Sequence, residues 1–243
     1  MKIGSSDWKE TIIEGARKLD IHVQPGQADQ FARHADALTE WNRKINLTAI
    51  ESPMDMAVKH FLDSIVSSRY IKPHSSLLDV GSGAGFPGLP LKVMIPSLRV
   101  TLVDATRKKV SFLNHVIQRL RLSDISALHS RVESLTRTRE GMFDVIVCRA
   151  FSSLAGFVEK SLPLLAPDGV LMAFKGKVSA ADMEQISGQN AHAVFLAPGK
   201  GDPTALHMTH VRFTLPFLNL SRTLVMLTRE RQLPMNIDLQ GKM

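Results

Sequence analysis

Residues Asp79 to Gly88 read Asp-Val-Gly-Ser-Gly-Ala-Gly-Phe-Pro-Gly. An aspartate near the end of an apolar run is followed by glycine at alternate positions, Gly81, Gly83 and Gly85. Glycines at a strand-to-helix turn permit positive φ and close approach of a ligand to the backbone. Asp104 ends the next apolar run about 20 residues on, where a carboxylate accepts hydrogen bonds from both hydroxyls of a ribose. Arg149 follows the apolar run Val145-Ile146-Val147-Cys148. A guanidinium at the end of a buried strand is costly unless an acidic or acceptor-rich partner meets it. Lys175 holds the same position after a later run, and Asn46 and Thr48 sit in a loop expected to lie over the pocket. This is the equipment of a nucleoside-binding crevice with cationic groups on one side.

Two nucleoside cofactors compete for the turn. Gly83-Ala84-Gly85-Phe86-Pro87-Gly88 formally matches G-x-G-x-x-G, the dinucleotide pattern, which would make a nicotinamide oxidoreductase. A pyrophosphate needs exposed amides at a helix start, and Pro87 removes one. Alternate glycines after an aspartate look instead like the S-adenosyl-L-methionine (SAM) turn of Rossmann-like methyltransferases, whose ligand is a sulfonium with no phosphate to cradle. SAM is therefore the expected cofactor and S-adenosyl-L-homocysteine the product. Asp79 either caps turn amides or orients the methionine part. Phe86 either plugs the helix–sheet gap or lines the pocket. Val132 and Glu133 offer an amide and a carboxylate to an adenine edge.

The elements that would position these groups alternate in texture. Asp7 to Tyr70 is helical, with Trp8, Ile12, Ile13, Ala16 and Leu19 on one face and Phe31, Ala35, Leu38 and Trp41 on another. Ser52-Pro53 starts a third helix carrying Met54, Ala57, Val58, Phe61, Leu62 and Ile65. His60 and Asp63, at i and i+3, can touch, and read as scaffolding behind the loop. Strands are expected at Leu77–Val80, Val100–Asp104, Ile125–His129, Phe143–Cys148 and Val170–Phe174, with helices between, one of them over Leu154–Leu165. That alternation predicts an α/β fold with a mostly parallel sheet. His207–Leu215 and Arg222–Thr228 would add an antiparallel hairpin at the sheet edge. The chain divides into a helical extension over 1–72 packed on the core, a core over 73–230 and a polar, frayed tail over 231–243.

Composition narrows the class. The 243 residues are 44% hydrophobic and 22% charged, which excludes disordered, collagen-like and disulfide-stapled chains. One cysteine, Cys148, forms no internal disulfide and no cysteine knuckle, and points to a reducing cytoplasmic compartment. No metal site is expected. No apolar run approaches the roughly 20 residues of a membrane helix, and Met1 to Glu10 lacks a signal peptide's apolar core. A net charge of +7 suits a polyanionic partner. Arg107-Lys108-Lys109, at a helix start, is a candidate contact for phosphates.

Four further segments are distinctive: Asn46-Leu47-Thr48-Ala49, His60-Phe61-Leu62-Asp63-Ser64, Ser130-Arg131-Val132-Glu133 and Arg149-Ala150-Phe151. With Gly81 to Pro90 and Phe174-Lys175-Gly176, the chain from about Ala28 to Thr228 resembles the bacterial small-subunit rRNA guanine-N7 methyltransferase G family, also called glucose-inhibited division protein B. The resemblance implies a class I SAM-dependent methyltransferase that methylates N7 of one guanine in the helix 18 loop of 16S rRNA, either free or in an assembling small ribosomal subunit. It also implies SAM contacts at Gly81, Phe86, Val132, Glu133 and Arg149. The last hairpin departs from the family's usual Glu-Arg-His turn: Leu220-Ser221-Arg222-Thr223 keeps the arginine alone. Residues 188–206 match no motif of the family.

Such a reaction makes modest chemical demands. N7 of guanine carries an exposed lone pair and needs no deprotonation. No Asn-Pro-Pro-aromatic segment follows Cys148, as gripping an exocyclic amine would require, and Cys148 lies within its strand, unsuited to carbon methylation. Arg149, Lys175 and Asn46 are the candidate residues at the reacting base. Asp79, Gly81, Gly83, Gly85, Phe86, Asp104, Val132, Glu133 and Arg149 are those at the cofactor. A non-catalytic RNA-binding protein on a vestigial fold of this kind is the remaining rival.

Overall fold

The computed structural model describes residues 1–136, 141–149, 153–176, 191–196 and 203–229, with the backbone alone for 191–196 and 203–205. Eight strands form one sheet: β1 (Ser76–Val80), β2 (Arg99–Asp104), β3 (Ile125–His129), β4 (Phe143–Arg149), β5 (Leu165–Lys175), β6 (Ala191–Leu196), β7 (Pro203–Leu215) and β8 (Leu220–Arg229), in the order β3-β2-β1-β4-β5-β8-β7-β6. The first five are parallel; β8 runs antiparallel between β5 and β7. The strand order reverses between β1 and β4. In an open parallel sheet, ligands bind outside the carboxyl ends of the strands at that switch point.

Both faces of the sheet are covered, as the continuous apolar runs of β1 and β4 require. Leu77 and Leu102 point into a core shared with α1 (Ser6–Arg17), α2 (Pro25–Asn42), α5 (Gly88–Met94) and α6 (Arg107–Leu120). Leu78, Val80 and Val103 point the other way, toward α7 (Leu154–Ser161). The N-terminal helices close around Phe61, whose ring meets Trp8 at 5.5 Å and Phe31 at 5.1 Å between centroids. The indole N–H of Trp8 donates to the Pro53 carbonyl, tying α1 to the third helical stretch.

Three expectations change. The third helix is not uniform: it runs as α3 (Pro53–Met56), a π-helical segment (Ala57–Leu62), α4 (Asp63–Ile65) and a 3-10 turn (Val66–Tyr70). The helix expected to reach Leu165 stops at Ser161, because Pro163 forces a 3-10 turn (Leu162–Leu164). Pro167-Asp168-Gly169 falls inside β5, where the register against β4 slips between Phe143 and Val145. The hairpin is present, yet it does not end the sheet: β6 pairs outside it. The tail expected over 231–243 lies outside the described residues.

Candidate active site

The turn after β1 is built by backbone geometry. Gly81, Gly83 and Gly85 have φ of +70, +55 and +87°. A Cβ at Gly81 would meet nothing within 4 Å, so its conformation, and not crowding, calls for glycine there. The N–H groups of Gly81 and Ser82 both donate to the Val103 carbonyl, and the Ser82 hydroxyl donates to the Asp79 carbonyl while accepting from the Val103 N–H. These bonds lash the turn to β2.

Two carboxylates flank it. Asp104 is buried; Oδ2 accepts the Gly83 N–H at 3.0 Å and Oδ1 the Thr106 N–H at 2.8 Å. Each oxygen keeps a second lone pair, so a paired acceptor for two ribose hydroxyls survives these bonds. Asp79 is fully buried, and its Oδ2 accepts the Gly88 N–H at 2.9 Å. Its Oδ1 has no hydrogen-bond partner. Burial pushes its pKa up to about 7, against the Gly88 N–H, the Ser82 hydroxyl and nearby Arg149. The expected capping role is present in one oxygen; the other makes no hydrogen bond.

The far wall is assembled from distant segments. Arg149, at the end of β4, donates from Nη2 to His60 Nδ1 at 3.1 Å, and its guanidinium carbon stands 5.8 Å from the Phe86 ring centre. Its Nη1 is buried without a partner. Phe86 is sandwiched: the His60 ring stacks at 4.4 Å and the His34 ring at 4.7 Å, both nearly parallel. The His34 Nε2 donates to the Ala84 carbonyl, tying α2 to the glycine turn. Burial lowers the His34 pKa to about 4 and is the main cause of the His60 value of about 3, to which Arg149, His34 and Lys59 add. Asp63 does not bond His60, as their spacing allowed. It accepts instead from Arg222 Nε at 3.4 Å, and its Oδ1 has no partner. Burial raises the Asp63 pKa against the pull of Arg149 and Arg222.

The chain that carries this crevice matches a known family. A family model described as rRNA small subunit methyltransferase G matches residues 27–195. A protein named ribosomal RNA small subunit methyltransferase G from Geotalea uraniireducens is 43% identical over 180 residues, 74% of this chain and 82% of that one. One of the same name from Acetivibrio thermocellus is 37% identical over 229 residues, 93% of this chain and 90% of that one. The chain belongs to the rRNA small subunit methyltransferase G family. The expected enzyme class, a methyltransferase, stands with that membership. A solved SAM-dependent methyltransferase from Aquifex aeolicus aligns with a TM-score of 0.52 at 16% identity, over 75% of this chain and 96% of that one. A predicted O-methyltransferase from Agrobacterium tumefaciens aligns with a TM-score of 0.50 at 16% identity, over 71% of this chain and 80% of that one. These two speak for the fold: Rossmann-like, of the class I SAM-dependent methyltransferase type.

The remaining expected residues fall at different depths. Val132 is buried at the start of a 3-10 turn after β3, and Glu133 is exposed beside it. The Glu133 carboxylate accepts from Lys160 at 2.7 Å, which holds its pKa below the usual range. Lys175 is half-buried at the end of β5, and Asn46 is exposed on its loop. That loop is shaped by Asn42: its Oδ1 accepts the N–H groups of Leu47 and Thr48, and its Nδ2 donates to the Thr48 carbonyl. Asn42, Thr48 and Ile50 also line a cavity of about 230 Å³ behind the loop. Cys148 is buried and burial raises its pKa, as expected of an inert thiol. Ala150 and Phe151 lie outside the described residues. Sequence reasoning missed His34 and left Arg222 without a role. The signal for His34 was a lone polar residue between Phe31 and Leu38 on a buried helical face.

Proposed function

We propose that the protein transfers a methyl group from SAM to N7 of a guanine in the helix 18 loop of 16S rRNA. One observation carries the cofactor assignment. Asp79 Oδ1 and Arg149 Nη1, both buried and both without a partner, stand at the carboxyl ends of neighbouring strands at the switch point. Buried polar groups are rarely left unpaired, and a charged one costs the most. An acceptor and a cationic donor on neighbouring strands, near enough to influence each other's charge, fit the ammonium and carboxylate of an amino acid, which SAM carries. Asp104 would hold the ribose, and Val132 with Glu133 the adenine end. When bound, SAM supplies a methyl group on a positively charged sulfur.

The chain's own part is binding and alignment. N7 attacks with its lone pair and loses no proton, so the site needs to hold base and cofactor in line and to exclude water. His60 offers no general base, because Arg149 occupies its Nδ1. Lys175 and Asn46 are proposed at the guanine. Exposed Arg107 and Lys108, with half-buried Lys109, lie just beyond Asp104 and would meet RNA phosphates. The partner is 16S rRNA, free or in an assembling small subunit, which places the enzyme in the cytoplasm. No helix of the described residues is long and apolar enough to cross a membrane. Among the described residues no group of three His, Cys, Asp or Glu could hold a metal ion.

The test is transfer of tritiated methyl from SAM to 16S rRNA, naked and in small-subunit particles, followed by nucleoside analysis. Label in 7-methylguanosine from the helix 18 loop is the expected result. Label in another nucleoside overturns the position. No transfer, with thermal stabilisation by NAD and not SAM, selects the oxidoreductase; RNA binding indifferent to SAM selects the vestigial fold.

A further inference from the structure

The contacts of His60 hold its ring on three sides. A guanidinium has donors and no acceptor. Because Arg149 Nη2 points at His60 Nδ1 at 3.1 Å, Nδ1 must carry the lone pair. The ring proton is therefore on Nε2, which stands 2.9 Å from Thr48 Oγ1 and donates to it. Thr48 Oγ1 also accepts the Ile50 N–H at 3.0 Å, so both of its lone pairs are used. The ring plane is fixed separately by the 4.4 Å stack on Phe86. Tautomer, rotation and tilt of the imidazole are each set by a different element: the loop, the β4 end and the glycine turn. The ring itself comes from the π-helical segment, and such segments recur at functional sites.

We propose that His60 is a positioning residue for methyl transfer: neutral and held in the Nε2–H tautomer by Thr48, it anchors Arg149 through Nη2 and aims the unpartnered Nη1 into the crevice. This rests on the reading that Arg149 acts in the transfer site. A fork held by one nitrogen keeps its direction, whereas an unanchored arginine samples many rotamers and pays their entropy on binding. An imidazolium could not serve, since both of its nitrogens would donate and one would face the guanidinium. The charged and titratable groups about the ring are Arg149, His34 and Lys59, with Asp63 one turn along. The three first named all oppose a proton on it.

Two isosteres separate the roles of the two nitrogens. In His60→Asn the amide oxygen falls where Nδ1 was, and the acceptor for Arg149 is kept. In His60→Gln the amide nitrogen falls where Nε2 was, so the bond to Thr48 is kept and the Arg149 acceptor is lost. Single-turnover transfer from SAM to RNA is expected to fall tenfold or more in His60→Ala and His60→Gln, and to be restored to within about threefold in His60→Asn. In an Arg149→Ala background the three substitutions should add less than twofold, because they act through that arginine. Nitrogen-15 NMR of the folded parent enzyme gives a readout that does not depend on activity: Nδ1 of His60 should be unprotonated and Nε2 protonated throughout pH 5 to 8. A protonated Nδ1 overturns the inference, as does parent-rate transfer by His60→Gln when Arg149→Ala is dead. If Arg149→Ala itself transfers at the parent rate, the reading of the site fails with it.

Discussion

The two walls of the crevice are made in opposite ways. The glycine-turn wall is largely local: the N–H groups of Gly81, Ser82, Gly83 and Gly88 and the Asp104 carboxylate are held by hydrogen bonds within the turn and to β1 and β2, with one outside tie from His34 to the Ala84 carbonyl. Asp79 Oδ1 is its single unpartnered buried side-chain polar atom among the described residues. The arginine wall draws on Thr48, His60, Asp63, Arg149 and Arg222, which are brought together only by the finished fold. It is left short of partners at both Asp63 Oδ1 and Arg149 Nη1. Unsatisfied buried groups cost stability, and a fold retains them where a ligand completes them. The glycine wall is thus a preformed cradle. On the proposed reading the arginine wall, with two open atoms against one, is where most of the hydrogen bonding would change when substrate or cofactor arrives.

The contrast breaks most sharply at Arg149. Arg149→Ala should leave the fold intact, since the residue is at a strand end and gives up one side-chain hydrogen bond, Nη2 to His60. Methyl transfer should drop a hundredfold or more, on the order of 2.7 kcal/mol in the barrier. Arg149→Lys should restore little, because a point charge does not replace a fork. Single-turnover transfer at saturating SAM, with circular dichroism as the folding control, reads this out. A folded alanine variant at the parent rate would mean that the arginine wall is structural.

On the opposite wall the expected effect is on affinity. Asp104→Ala should weaken SAM binding by about 1.5–3 kcal/mol, the usual worth of hydrogen bonds to a charged group. It should also loosen the turn, because Gly83 and Thr106 lose their acceptor. Calorimetry on the folded variant checks it, and unchanged affinity would remove the ribose from this carboxylate. Together the two variants separate the transfer role of the arginine wall from the ribose-binding role of the glycine wall.

The difference between the walls is also the difference in what could be read from the chain. The turn was legible because its chemistry is contiguous: a run of glycines, the aspartate before them and a strand-end carboxylate announce a tight strand-to-helix turn flanked by two carboxylates. The parallel strands were legible for the same reason. Arg149 was legible as a cost, a charge at the end of an apolar run, but its partner was not. That partner is 89 residues earlier, and nothing in a helical periodicity announces a π-helical segment. Arg222 was read as a remnant of an altered turn; it reaches Asp63 across 159 residues. Strand β6 escaped notice because short apolar stretches carry no period that separates strand from helix.

Stability against pH sharpens the comparison where the walls meet, at Phe86. His34 titrates at about 4 when folded, against 6.5 in the unfolded chain. Below pH 6.5 the unfolded state takes up the proton first, so this residue lowers stability as pH falls. Asp79, raised to about 7, works the other way, since the folded state then binds the proton more readily. His60, at about 3, acts in the same sense as His34, so two histidines favour unfolding below pH 6.5 and the carboxyls of Asp79 and Asp63 oppose them. His34→Phe removes one of the two histidines. The unfolding free energy of the variant, compared with the parent, should shift in its favour by about 2 kcal/mol over that interval. Chemical denaturation at the two pH values measures it. An equal pH dependence in both proteins would mean that His34 is protonated in the fold.

The smallest expected effect concerns the rim of the glycine wall. Arg107, Lys108 and Lys109 begin α6, immediately past Asp104 and Thr106, where cations face the unfavourable end of the helix dipole. Folding gains nothing from three cations there, which makes them candidates for contact with a polyanion. Replacing all three with glutamine should relieve the helix slightly and remove up to three phosphate contacts. For single-stranded RNA each contact contributes about 0.7 to the slope of log affinity against log salt, so the slope should flatten by about 2. Over a fourfold change in salt that is roughly a fifteenfold difference in how much affinity is lost. SAM affinity should not move, because these side chains lie outside the hydrogen bonds that hold Asp104. Filter binding to a helix 18 RNA between 50 and 200 mM salt measures the slope, and calorimetry the cofactor. A slope equal to the parent's would take the RNA off this rim and leave the arginine wall as the side from which it approaches.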